Sequence, residues 1–197
     1  MEQEKVLTGQ ESLELISRMI SKAKRDYQDT GFSALLWGST ITICSLVSFA
    51  NAYIKIPALD LIWYLPIVAV AVQVYISIRE SKRRKLKSHD DNIMGGIWIS
   101  FGIATFMLSY FVNRYQLDQS AGLFLTLYGI PTFTTGYARH FRPMLFGGLA
   151  CWIFAILSSF TPYPYIILYL TAAAQLAWFI PGLILRKRYL KANKANV

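Results

Sequence analysis

Two kinds of side chain in this sequence are placed to do more than fill space: hydroxyls and amides in the middle of apolar runs, and cations gathered between the runs. The first kind is densest at Gly129-Ile130-Pro131-Thr132-Phe133-Thr134-Thr135-Gly136. Proline inside a helix removes an N–H and leaves a carbonyl of the preceding turn without its donor. Threonine hydroxyls can bond that carbonyl or line a polar cavity. Together with Gln73 and Gln175, which both follow alanine-rich stretches, Pro131, Thr132, Thr134 and Thr135 form a candidate path for a neutral or apolar solute. A kink satisfied by neighbouring helices accounts for the same residues without a ligand.

The second kind is densest at Arg79–Lys87, which holds six positive charges in nine residues. Lys82, Arg83, Arg84 and Lys85 at its centre are candidate contacts for anionic lipid or an acidic partner, each cation near such a surface being attracted by roughly 1 kcal/mol. Arg139-His140-Phe141-Arg142 is a smaller group of the same sign, able to grip a phosphate or a lipid headgroup through Arg139 and Arg142. Orienting the chain in a membrane is the plainer use of both groups.

What must position these residues is a series of apolar runs. The chain has 197 residues, 54% hydrophobic and 15% aromatic, which is high for a soluble domain. A helix rises about 1.5 Å per residue and the hydrocarbon core is about 30 Å, so roughly 20 apolar residues cross it. The sequence predicts an all-α, polytopic transmembrane helical bundle of six spans, at about 32–53, 59–78, 93–112, 121–138, 144–160 and 165–185. Residues 1–31 precede the membrane domain 32–185, and a basic tail, 186–197, follows it. The runs are continuously apolar rather than alternating, which excludes a β-barrel.

Lys and Arg count 5 before the first span, 6 between the second and third, 2 between the fourth and fifth and 5 after the sixth. The opposite side holds only Lys55 and Arg114. This alternation predicts both termini in the cytoplasm. Tyr53, Trp63, Tyr64, Tyr110, Tyr115, Tyr163 and Tyr165 fall at the other boundary, as interfacial rings do. The net charge of +9 comes in bursts between apolar runs, so no nucleic-acid partner is expected.

Ahead of the spans, Leu13, Ile16, Ile20, Ala23 and Tyr27 recur at spacings that put them on one helical stripe. Thr8 with Glu11 offers a capping-box start and Gly31 a stop. The pattern predicts a cytoplasmic amphipathic helix at about Glu11–Asp29, with Leu13, Ile16, Ile20 and Tyr27 meeting the membrane surface or a partner helix. No apolar leader region precedes it, so the first span is expected to act as an uncleaved signal-anchor.

Small residues four apart form packing ladders at Ala34/Gly38/Thr42, Gly96/Ser100/Ala104 and Ala173/Ala177. The odd spans share glycine-containing starts (Leu36-Trp37-Gly38, Met94-Gly95-Gly96, Phe146-Gly147-Gly148) and each even span carries one proline, a pattern consistent with three repeated hairpins.

Enzyme chemistry finds little to work with. No Asp, Glu, Lys, Arg or His lies in the middle of a predicted span, which disfavours a proton- or ion-driven pump. Cys44 and Cys151 both fall in apolar runs and read as buried free thiols. Arg84 and His89 have the Arg-x4-His spacing of HEPN-type ribonucleases, but that pair works on a soluble bundle. No phosphate loop, carboxylate pair, Ser/His/Asp grouping or cofactor motif is present.

Glu11-Ser12-Leu13-Glu14-Leu15-Ile16-Ser17-Arg18-Met19-Ile20, then Gly31 and Leu35-Leu36-Trp37-Gly38, resembles the start of a family of small uncharacterised bacterial multispan membrane proteins. That resemblance implies a bacterial inner-membrane setting and brings no activity or functional residues with it. The expectation is therefore a non-enzymatic regulatory or scaffold component that meets membrane lipid, a cytoplasmic protein or further copies of itself. A small transporter or channel is the alternative. A lipid-modifying enzyme, acting through His140 with Arg139 and Arg142, ranks last.

Overall fold

The computed structural model describes residues 10, 13, 30–83, 89–117 and 120–194, with the side chains of 80–92 and 193–194 outside the description. These residues are almost all helical, with no strand among them. The helices are α1 (Phe32–Ile54), α2 (Leu65–Arg83), α3 (His89–Tyr115), α4 (Ala121–Ala138), α5 (Arg142–Ser158), α6 (Ile166–Ala174) and α7 (Ile180–Lys194). A 3-10 stretch, Pro57–Tyr64, leads into α2, and a π-helical turn, Gln175–Phe179, joins α6 to α7 in one rod. Four helical stretches are long and apolar enough to cross a membrane: Phe32–Ile54, Pro57–Arg79, Ile93–Tyr115 and Ile166–Ala192. Arg142–Ser158 is a shorter apolar helix. The threonines, glycines and tyrosines of α4 dilute its apolarity.

The core is built by α1, α4, α5 and the α6–α7 rod. Its stripe on α1 is the Ala34/Gly38/Thr42 ladder. A Cβ on Gly182 would stand 3.2 Å from that of Ala34, one on Gly38 would stand 2.7 Å from the Phe179 backbone nitrogen, and Gln175 hydrogen-bonds Thr42. Two helices running in opposite directions thus meet every four residues, at backbone distance. The Ala173/Ala177 ladder works the same way, since a Cβ on Gly147 of α5 would lie 2.5 Å from Ala177 Cα.

The third ladder behaves differently. Gly95, Gly96 and Gly102 have nothing within 4 Å of an added Cβ, and Ser100 is exposed. Helix α3 turns the stripe of Trp98, Phe101, Thr105 and Leu108 inward instead, because the two rings offer more contact area than glycine does. The glycine starts shared by the odd spans therefore do unlike work: Gly38 and Gly147 admit the α6–α7 rod, whereas Gly95 and Gly96 stand open.

At the end away from the basic loops, α1 closes with a left-handed Lys55 (φ 57). Asn51 then clasps the turn, accepting from the Ile56 N–H at 2.8 Å and donating to Asp60 at 2.8 Å. The Trp63 indole donates to Ser48 at 2.8 Å. All seven tyrosine and tryptophan rings expected at this boundary are exposed. Both cysteines are buried free thiols.

Of the predicted N-terminal helix, only Leu13 is described, with Gln10 just before it; both are helical and Leu13 is exposed. Ile16, Ile20, Tyr27, Arg84 and Lys85 lie outside the described residues, as do the side chains of Lys82 and Arg83.

Candidate functional site

The centre of the bundle is aromatic. Trp178, on the π-helical turn, has ring neighbours on three other helices: Tyr128 at 5.1 Å, Trp98 at 6.2 Å, Trp37 at 6.4 Å and Phe101 at 6.5 Å. Four of these five residues carry a polar atom on an otherwise apolar ring, and such atoms need partners away from water. The threonines of α4 supply two. Trp178 Nε1 donates to Thr132 Oγ1 at 3.0 Å, and Trp98 Nε1 donates to Thr135 Oγ1 at 3.2 Å.

This arrangement sets the roles of the candidate path residues. Thr132 is fully buried, and its hydroxyl also donates to the Tyr128 carbonyl at 2.8 Å. Thr134 turns back onto the carbonyls of Ile130 at 2.9 Å and Pro131 at 3.2 Å. The carbonyl that Pro131 leaves without its usual donor is that of Leu127, so these bonds go one or more residues further along than expected. Gln175 donates to Thr42 of α1 at 2.7 Å rather than to a residue of α4. Gln73 lies at another place altogether, on α2, donating to Ser33 at 3.0 Å and Ser77 at 3.3 Å while its Oε1 is buried without a partner.

Thr132 and Thr135 therefore share one centre, and Gln73 and Gln175 do not join them. Beside that centre is a cavity of about 10 Å³, lined by Ile41, Tyr128, Cys151, Leu170, Ala173, Ala174 and Trp178. It is at the lower limit for a single water, and its lining is apolar. A larger cleft of about 460 Å³ opens sideways between α4 and α5, lined by Gly122, Thr126, Trp152 and Ser158 among others, with the Trp152 indole on the Thr126 carbonyl at 3.2 Å. Among the described residues no three His, Cys, Asp or Glu side chains come together as metal ligands.

The second site is the basic end. Helix α4 stops at Ala138, and α5 starts at Arg142 after a turn in which His140 takes left-handed backbone (φ 48) and the Phe141 N–H bonds the Gly136 carbonyl at 2.8 Å. Phe141 is buried, and the guanidinium of Arg188 lies over its ring at 5.3 Å. Phe141, which lies between Arg139 and Arg142 in sequence, thus meets a cation of α7, a contact between segments some fifty residues apart that sequence reading missed. Aromatic Phe141 inside a run of cations was the available signal. Gly31, with φ 70, packs against α7, where an added Cβ would lie 2.9 Å from the Arg186 backbone nitrogen.

No family model, curated protein or solved structure matches the chain.

Proposed function

We propose that this chain is an integral membrane protein of six spans that acts as a non-enzymatic regulatory or scaffold component, with its work done at the basic end. In this reading α4 and α5 cross the bilayer beside the four longer apolar helices, and both termini face the cytoplasm of a bacterial inner membrane. The positive-inside count supports that orientation. Shortness of α4 and α5 is no obstacle, since 17 and 18 residues reach about 25–27 Å and a bilayer thins or flanking side chains extend to match.

One observation carries the reading. Thr132, Thr135 and Gln175 are hydrogen-bonded to Trp178, Trp98 and Thr42, beside a space no larger than a water, while Phe141, which lies between Arg139 and Arg142 in sequence, meets Arg188 at the basic end. A solute path would need the opposite distribution. The partner would meet residues 11–28 or 79–91, whose stripe and charges suit an acidic or amphipathic cytoplasmic segment.

Photocrosslinkers at Leu13, Ile20 and Lys82 in native membranes test this. A stoichiometric protein adduct from at least one position is the expected result. Homo-oligomers alone, with no second protein, would overturn the docking reading. They would shift the weight to transport, where Thr134→Val is the variant to assay for altered flux.

A further inference from the structure

The basic corner has the makings of a specific site. Arg142 stands at the first position of α5, next to Phe141, whose buried ring holds the Arg188 guanidinium at 5.3 Å. Lys191 follows Arg188 by three residues and so shares its side of α7. Arg142, Arg188 and Lys191 are all exposed, and among the described residues none of the three has a carboxylate partner. Three like charges at one end of the bundle, with no carboxylate partner among the described residues, favour an anion there. Arginine's planar fork matches two oxygens of a phosphate. The contact with the Phe141 ring holds one such guanidinium near the helix start before anything binds.

What lies along α5 from that point argues for the source of the phosphate. Phe146, Leu149 and Ile153 follow Arg142 by four, seven and eleven residues, so they continue its face, and all three are exposed. A cationic head and an apolar strip on one helix face are the complement of an amphiphile.

Resting on the topology read above, we infer that this corner binds the phosphate headgroup of an anionic membrane lipid, whose acyl chain lies along Phe146, Leu149 and Ile153. Native mass spectrometry of the full-length protein, titrated with phosphatidylglycerol and with phosphatidylcholine, measures it. Phosphatidylglycerol is expected to bind at least tenfold tighter. The double variant R142Q/R188Q is expected to lose about twenty-fivefold, near fivefold per charge. R188K keeps the charge without the two-pronged guanidinium and is expected to fall between; it also serves if the double variant does not fold. Equal binding of the two lipids, or unchanged binding in both R188K and R142Q/R188Q, would overturn the site. Full displacement by millimolar inorganic phosphate would overturn the lipid as its source. Labelling of H140C by a membrane-impermeant reagent from outside the cell, with lipid preference intact, would sink the topology and leave the site standing.

Discussion

The molecule has two unequal halves. In the α6–α7 rod 50% of the apolar window is buried, and in α1 28%; in the stretch leading through α2 the share is 6%, and in α3 it is 0%. Helices α2 and α3 adjoin in sequence, yet α2 packs on α1 and α3 on α4, with at most incidental contact between them. Both halves have similar composition. The difference lies in which residues face inward: backbone-to-backbone contact through glycine and alanine in one half, and two anchoring rings, Trp98 and Phe101, in the other. In a bilayer, apolar surface gains little by leaving lipid, so helices cohere where close packing and internal hydrogen bonds are available. Among the described residues the α2–α3 half has little of either: the Trp98–Thr135 and Gln73–Ser33 bonds on its helices, and the Asn51–Asp60 and Trp63–Ser48 bonds at the 3-10 stretch before α2.

The largest test of this contrast truncates a ring in each half. Trp178→Ala removes the side chain that four rings surround and leaves Thr132 without its donor, and is expected to cost about 3–5 kcal/mol. Phe106→Ala on α3, where the ring is 77% exposed, is expected to change stability by less than about 0.5 kcal/mol. Denaturation of the purified protein in detergent compares them, and equal losses would mean that the two halves are packed alike.

A smaller effect comes from adding a methyl group. Gly147→Ala would set its Cβ 2.5 Å from Ala177 Cα and 2.7 Å from the Leu176 carbonyl, and neither backbone atom can rotate away. Overpacking of this kind costs about 1–3 kcal/mol. The same denaturation assay, with retention of the folded dye-accessible core as a second readout, checks it.

Smaller again is Thr132→Val, which keeps shape and removes the acceptor of the Trp178 indole. Hydrogen bonds inside membrane proteins average about 0.6 kcal/mol and reach about 1.7, so a loss near 1 kcal/mol is expected. A double-mutant cycle with Trp178→Phe should return most of that as coupling; additivity would mean the bond contributes nothing.

These residues also mark what could be read in the chain and what could not. The helical class, the apolar stretches and the α1 ladder were legible, because hydropathy and four-residue spacing are local properties. The destination of Gly96/Ser100/Ala104 was not. Spacing says that a helix can be approached closely, but not whether a neighbour with a better face is nearby, and on α3 the Trp98 and Phe101 face won. The threonines of α4 were visible as a polar group in mid-run. Their partners were two tryptophans, one 37 and one 46 residues away, and nothing local points there. The basic corner was half legible: the charges were plain, while the seating of Arg188 on Phe141 depends on how α7 returns to α5.

The smallest effect bears most directly on the open half. Gly102→Ala meets nothing within 4 Å, so no clash opposes it. Alanine also loses less backbone freedom in a helix than glycine, worth up to about 1 kcal/mol. The variant is therefore expected to be as stable as the parent, or slightly more so, and to migrate identically on size exclusion in mild detergent. Should it instead lose a larger assembly that the parent forms, the open glycine face of α3 would be a contact between copies, closed by a helix from outside the chain. The two halves would then obey the same close-packing rule, one within a single chain and the other between chains.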